Sequence, residues 1–158
     1  MHRRTLLAAV AAIALSHPLA AHEYTLGSLR IGHPYAIETP ASARTGAGYL
    51  TVTNTGSAPD RLLEIRTAFP RTQIHATTTD SNGVARMEEV GPLDIPPGAT
   101  VELAPGGMHV MFMGLDAPLA SGAAVAATLV FEKAGEIAVE FNVQPRTAGG
   151  DDMPGMAH

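Results

Sequence analysis

From Tyr24 onward, no stretch of this chain sustains a helical period. Polar and apolar residues mix in short runs instead, and turn-forming residues close those runs. With sixteen glycines and twelve prolines, there is little room for a long helix. Ala47–Thr53, Arg61–Ala68, Gln73–Thr78 and Val84–Val90 read as strands, as do Thr100–Leu103, Met108–Leu115, Ala123–Phe131 and Ile137–Val143. Tyr24–Ile37 reads as an edge strand, with Pro34 at a bend or an unpaired position. Asp80-Ser81-Asn82-Gly83 predicts a hairpin between the third and fourth of these runs, and Glu132-Lys133-Ala134-Gly135 another near the end. About nine strands separated by turn signals predict an all-β domain, an antiparallel sandwich or barrel. A chain of 158 residues holds one such domain.

The two ends read differently from the middle. Met1-His2-Arg3-Arg4 precedes an apolar run from Thr5 to Leu15, and small residues follow up to Ala21. That is the pattern of a secretory signal peptide over residues 1–21, with an apolar run too short to anchor the chain by spanning a membrane. Removing it takes two arginines, which leaves eight basic against fifteen acidic residues and moves the formal charge from −5 to −7. Such a chain offers no basic face for nucleic acid. Residues 22–145 are the predicted domain. Residues 146–158 turn polar and glycine-rich and predict a tail without a core of its own, carrying Met153, Met156 and His158. Cysteine is absent, which excludes a disulfide framework, thiolate zinc, a cysteine-borne lipid and a blue-copper centre.

The chemistry concentrates between His75 and Met111. Eleven residues separate His75 from Met87, twenty-one separate Met87 from His109, and Met111 lies two beyond His109. Imidazole is a borderline ligand and thioether a soft one, so the set suits Cu(I) far better than oxygen-seeking cations. A hairpin closing near Ser81-Asn82 would set His75 almost opposite Met87, at the roughly 4.5–5.5 Å of cross-strand neighbours. His109 and Met111 share one face of their strand, and Met108, Val110 and Phe112 form the core face. Met113 shares the ligand face one pleat further on, as packing or as a weak extra donor. Freed by cleavage, His22 would combine an amino group with an imidazole, a chelate for Cu(II). That keeps a copper-dependent redox enzyme, or a storage or resistance protein, as the alternative.

His75, Met87, His109 and Met111 at these spacings resemble the signature of the periplasmic PCuAC copper chaperones. Ala76 stands where many members have a second Met, on the opposite strand face from the first ligand. Ala47-Gly48-Tyr49-Leu50, Asp60-Arg61-Leu62, Pro105 to Met111 and Phe131 to Gly135 are also similar to that family. The resemblance spans roughly Ile31 to Val143. It implies a cupredoxin-like Greek-key β-barrel and a monomeric, non-enzymatic carrier of Cu(I) in the periplasm. It implies delivery to the copper-site subunit of cytochrome c oxidase, with a thiol-bearing chaperone as a further partner. The tail is similar to the His/Met-rich tails of some members, and its carboxylates and His158 would admit Cu(II) as well.

Overall fold

The computed structural model describes residues 22–147. The predicted leader, and the tail from residue 148 with Met153, Met156 and His158, lie outside the described residues. Arg146 and Thr147 follow the last strand as irregular chain.

Every regular element among the described residues is a strand. They are β1 (Glu23–Leu26), β2 (Leu29–Ile37), β3 (Thr45–Asn54), β4 (Asp60–Thr67), β5 (Arg71–Thr79) and β6 (Ala85–Glu89). After these come β7 (Leu93–Ile95), β8 (Thr100–Leu103), β9 (Met108–Met113), β10 (Ala124–Phe131) and β11 (Gly135–Gln144). Eleven strands stand where about nine were expected. The Gly27-Ser28 turn splits the first run in two, with Leu26 pairing Leu29 across it. The second addition, β7, is hidden in a connector whose prolines and glycines mask three strand residues.

One curled sheet runs in the order β6-β5-β9-β3-β2-β11-β10-β4-β7, with β1 also on β2 and β8 on β3. The expectation of purely antiparallel pairing fails at one place, where β11 runs parallel to β2 through Asn142↔Tyr35 to Gln144↔Ile37. β2 is therefore not an edge strand. Pro34 fits inside the sheet because the β2–β3 register shifts between Gly32 and Tyr35. A proline has no N–H to offer a ladder, and a bulge asks for none. His33 in the same irregularity takes a φ of 46°.

Along β3, β10 and β11 alternate residues enter the core. Leu50 and Val52 of β3, Val110 and Phe112 of β9, and Phe141 and Val143 of β11 are buried together. Phe112 meets Phe141 edge-on at 5.5 Å between ring centroids. Such a pair adds about 0.5–1.5 kcal/mol beyond the area it buries. Gly48 sits against both rings. A Cβ there would come within 2.9 Å of the Phe112 ring and 3.1 Å of Phe141, so a side chain would drive β3 off β9.

The buried Asp60 closes the far end of the sheet. Its Oδ1 accepts from the N–H groups of Arg61 (2.7 Å) and Lys133 (2.9 Å), and Oδ2 from Ala134 (3.0 Å). Burial pushes this carboxyl up. The N–H groups of Lys133, Arg61 and Ala134, with the Lys133 charge, outweigh that and hold it below the ordinary carboxylate range. Asp60-Arg61-Leu62 and Phe131–Gly135, far apart in sequence, are thus one structural unit: the carboxylate ties the β10–β11 turn to β4.

Candidate metal centre

β9 lies between β5 and β3, and its outward residues meet their partners at full pairing distance. His75 is directly opposite His109, and Gln73 opposite Met111. Partners in register share a sheet face. The two imidazoles therefore stand side by side on the face turned from the core, with ring centroids 6.1 Å apart. His109 is only 6% exposed, and His75 and Met111 are half-buried.

The hydrogen bonds leave one nitrogen of each ring uncommitted. His109 Nδ1–H donates to the Gly107 carbonyl at 3.3 Å, which makes Nε2 the lone-pair nitrogen. His75 Nε2–H donates to Gln73 Oε1 at 3.2 Å, which makes Nδ1 the lone-pair nitrogen. That Nδ1 is buried and has no partner among the described residues. A buried acceptor left unpaired costs roughly 1–3 kcal/mol. The cost is removed if a cation takes the lone pair, and a ring held at its other nitrogen is how histidine ligands are oriented.

Met87 is where the sequence expectation needs correcting. It pairs with Thr77, while His75 pairs with Glu89. The turn explains the offset. Three residues, Ser81–Gly83, form the loop: Asp80 N–H donates to Val84 O at 3.0 Å, and Asp80 Oδ1 accepts from Asn82 and Val84. A tighter closure would have shifted the register. The offset from His75 is two residues, so parity is kept and Met87 still faces the His75 side of the sheet. It is 60% exposed, on a strand whose five residues are all exposed.

Met87, His109 and Met111 line one cleft of about 660 Å³, together with Thr77, Tyr49 and Pro105. Arg146 and Thr147, the last described residues, form part of its wall. Met113 pairs with Thr45 and Arg71 and does not itself line the cleft. His22 is exposed beside β1, a strand that pairs with β2 and with none of the site strands. Among the described residues there is no group of three His, Asp or Glu placed to hold a metal. The nitrogen and sulfur atoms this cleft offers a cation come from His109, Met87 and Met111.

Gln73, Tyr49 and the Gly107 carbonyl are the site parts that sequence reasoning missed. Burial first, and then the neighbouring Tyr35, raise the Tyr49 phenol above its ordinary value, against a lowering by Arg146, so it stays neutral at physiological pH. Only the β3–β9 register, unread in the sequence, reveals that Tyr49 belongs here.

Residues 29–143 match the LpqE-like family, described as "Putative lipoprotein LpqE-like". A protein of Leifsonia xyli subsp. xyli (strain CTCB07) named "Putative lipoprotein Lxx21020" is 33% identical over 110 residues, 69% of this chain. The chain spans 66% of that relative's length. The copper-bound PCuAC domain from PmoF2 superposes with a TM-score of 0.67 at 31% identity, covering 79% of this chain and 99% of that domain. The Cu(I) form of DR1885 from Deinococcus radiodurans gives 0.56 at 35% identity, over 70% of this chain and 74% of that one. The all-β, cupredoxin-like architecture is common to this chain and these domains.

Proposed function

The chain belongs to the LpqE-like family, and from that premise we propose that it is an exported copper carrier that holds Cu(I) through His75 Nδ1, His109 Nε2, Met111 and Met87. The observation that carries this reading is the buried, unpartnered Nδ1 of His75 on the strand pair that also presents His109 and Met111. The similarity to domains whose names state copper supports the choice of metal. Two thioethers favour the reduced ion. Copper here is cargo, and the similarity to copper-named PCuAC domains supports reading the protein as a carrier and not an enzyme.

Export follows from the leader pattern and from the lipoprotein names of the family and its relative. A cysteine-borne lipid is not carried over, because none of the 158 residues is cysteine. In this reading the carrier works in the periplasm as a monomer and hands Cu(I) to the copper-site subunit of cytochrome c oxidase. A thiol-bearing chaperone shares the route. Met153, Met156 and His158, tethered to the cleft rim through Thr147, form an auxiliary site for Cu(I) or Cu(II), at the roughly millimolar effective concentration that a short linker gives.

Competition for Cu(I) against a chromophoric chelator tests the core of this. The full chain is expected to take up one tight Cu(I), and His75→Ala to lose it. Cutting after Thr147 should keep the tight site and remove any further copper. Undiminished affinity in His75→Ala would overturn the ligand assignment.

A further inference from the structure

We propose that Tyr49 and Tyr35 form a redox relay that drains oxidising equivalents away from the copper cleft, sparing the thioether ligands. The proposal rests on the copper reading above. Its own observation is a row of rings across the sheet. On β3, Gly48 pairs with Val110, so Tyr49 and His109 are the next residues along the same two strands, and both line the cleft. Tyr49 pairs directly with Tyr35 of β2, and their ring centroids are 5.1 Å apart. Tyr35 in turn lies 5.1 Å from the ring of His33. His33 is exposed and accepts from Gln144 Nε2–H at 3.2 Å. The row therefore starts at a copper donor and ends at solvent.

Composition makes this placement informative. The chain has three tyrosines and no tryptophan. Two of the three phenols lie side by side, their rings tilted at 39°, in line with the cleft, while Phe112 and Phe141 fill the core on the other face. Packing alone would accept phenylalanine at Tyr35 and Tyr49. What tyrosine adds is a hydrogen atom that can be given up and regained.

The threat is the cargo. Cu(I) gives one electron to hydrogen peroxide, which yields Cu(II), hydroxide and a hydroxyl radical. Attack of that radical on Met111 or Met87 starts oxidation toward the sulfoxide, a polar group and a poorer ligand for Cu(I). In the relay the radical instead takes the phenolic hydrogen of Tyr49, giving water and a phenoxyl. Tyr35 then passes an electron and a proton to Tyr49, restoring it and moving the phenoxyl to Tyr35. A small ene-diol reductant such as ascorbate returns one hydrogen atom to Tyr35 and becomes its own one-electron-oxidised radical. With no reductant present, a second oxidising equivalent leaves a phenoxyl on each ring. The two then join through a carbon–carbon bond, with net loss of two hydrogens from the protein.

The full chain is loaded with Cu(I), its copper content is measured, and hydrogen peroxide is added with and without ascorbate. Freeze-quenched electron paramagnetic resonance reads phenoxyl radicals, and peptide mass spectrometry reads methionine sulfoxide at Met87 and Met111. Tyr35→Phe keeps a ring at a position outside the cleft lining, and its copper affinity is measured in parallel. The parent should show a phenoxyl signal. Tyr35→Phe should bind copper as the parent does yet accumulate several-fold more sulfoxide at Met111, with less protection from ascorbate. Equal sulfoxide in parent and variant, both copper-loaded, overturns the relay and leaves the carrier reading standing. A parent that takes up no copper overturns both.

Discussion

Three of the four proposed copper donors sit on the sheet body, and the fourth sits on an arm. His75, His109 and Met111 are on β5 and β9, strands with a partner on each side, and His109 is buried. Met87 is on β6, which has one partner and ends the sheet. Each residue of β6 is exposed. Donors of the first kind have fixed positions before any metal arrives. A donor of the second kind can leave without disturbing the core. In the proposed carrier, retention and release of one ion would fall to different parts of the molecule. A carrier needs both, and a uniformly buried site would supply only retention.

The largest expected effect follows from removing the most fixed donor. His109→Ala should weaken Cu(I) binding beyond the ~10–100-fold that losing an outer partner of a ligand costs. Its urea midpoint should move far less than its copper affinity. If His109→Ala and Met87→Leu cost the same in a chelator competition, the distinction between body and arm fails.

Next in size is a stability effect at the end of the body away from the site. The Asp60 carboxyl is held below its ordinary range in the fold, so the unfolded chain binds its proton first as pH falls. Its contribution should be complete above the unfolded-state value and disappear as pH drops through the folded-state value. Asp60→Ala leaves three N–H groups without their acceptor, a loss of roughly 1–3 kcal/mol near neutrality. Urea unfolding of parent and variant should converge on acidification. A constant gap down to strong acid would show that the carboxylate charge is not what holds the turn.

Met87→Leu should cost about tenfold in copper affinity, a ligand loss on an open strand, mostly as faster release. Stability should change by less than about 0.5 kcal/mol, because the side chain is largely in water. Stopped-flow transfer to a chelator reads the rate. The smallest effect belongs to the arm's own turn. Gly83 has a φ of +78° and nothing within 4 Å of a Cβ position, so Gly83→Ala meets backbone strain without a clash. The cost is about 1 kcal/mol. It should appear as faster amide exchange in β6 and leave β9 unchanged.

The body was more legible in the sequence than the arm, for a physical reason. Along β9, alternation sorts Val110 and Phe112 from His109 and Met111 whatever the neighbouring strands do, and the structure follows that sorting. Where Met87 falls depends on how many residues the Asp80–Val84 turn spends, and Asp80-Ser81-Asn82-Gly83 is compatible with more than one closure. Only the parity survived, because the offset was even. Pro34 misled in the other direction. A proline in a strand suggests an edge, and here a register shift lets it sit between β3 and β11. The tautomers of His75 and His109 depend on Gln73 and Gly107, each two residues earlier in the chain. Local sequence contains those residues, but not the turn of the ring toward them.

The parallel pairing of β11 with β2 has a consequence in time. Arg146 N–H reaches Glu38 across 108 positions, and Glu140 N–H reaches the Tyr24 hydroxyl across 116. Contacts that distant form late, since closing long loops must precede any gain from them. β2 cannot complete its ladder until β11 has been made and delivered. A chain exported before folding would meet no pressure to lock before it has crossed, because the strand that closes the sheet is among the last to arrive. The cleft inherits that timing. Its walls include both Ile37 at the end of β2 and Arg146 just past β11, so it is walled only once the two ends of the domain have met.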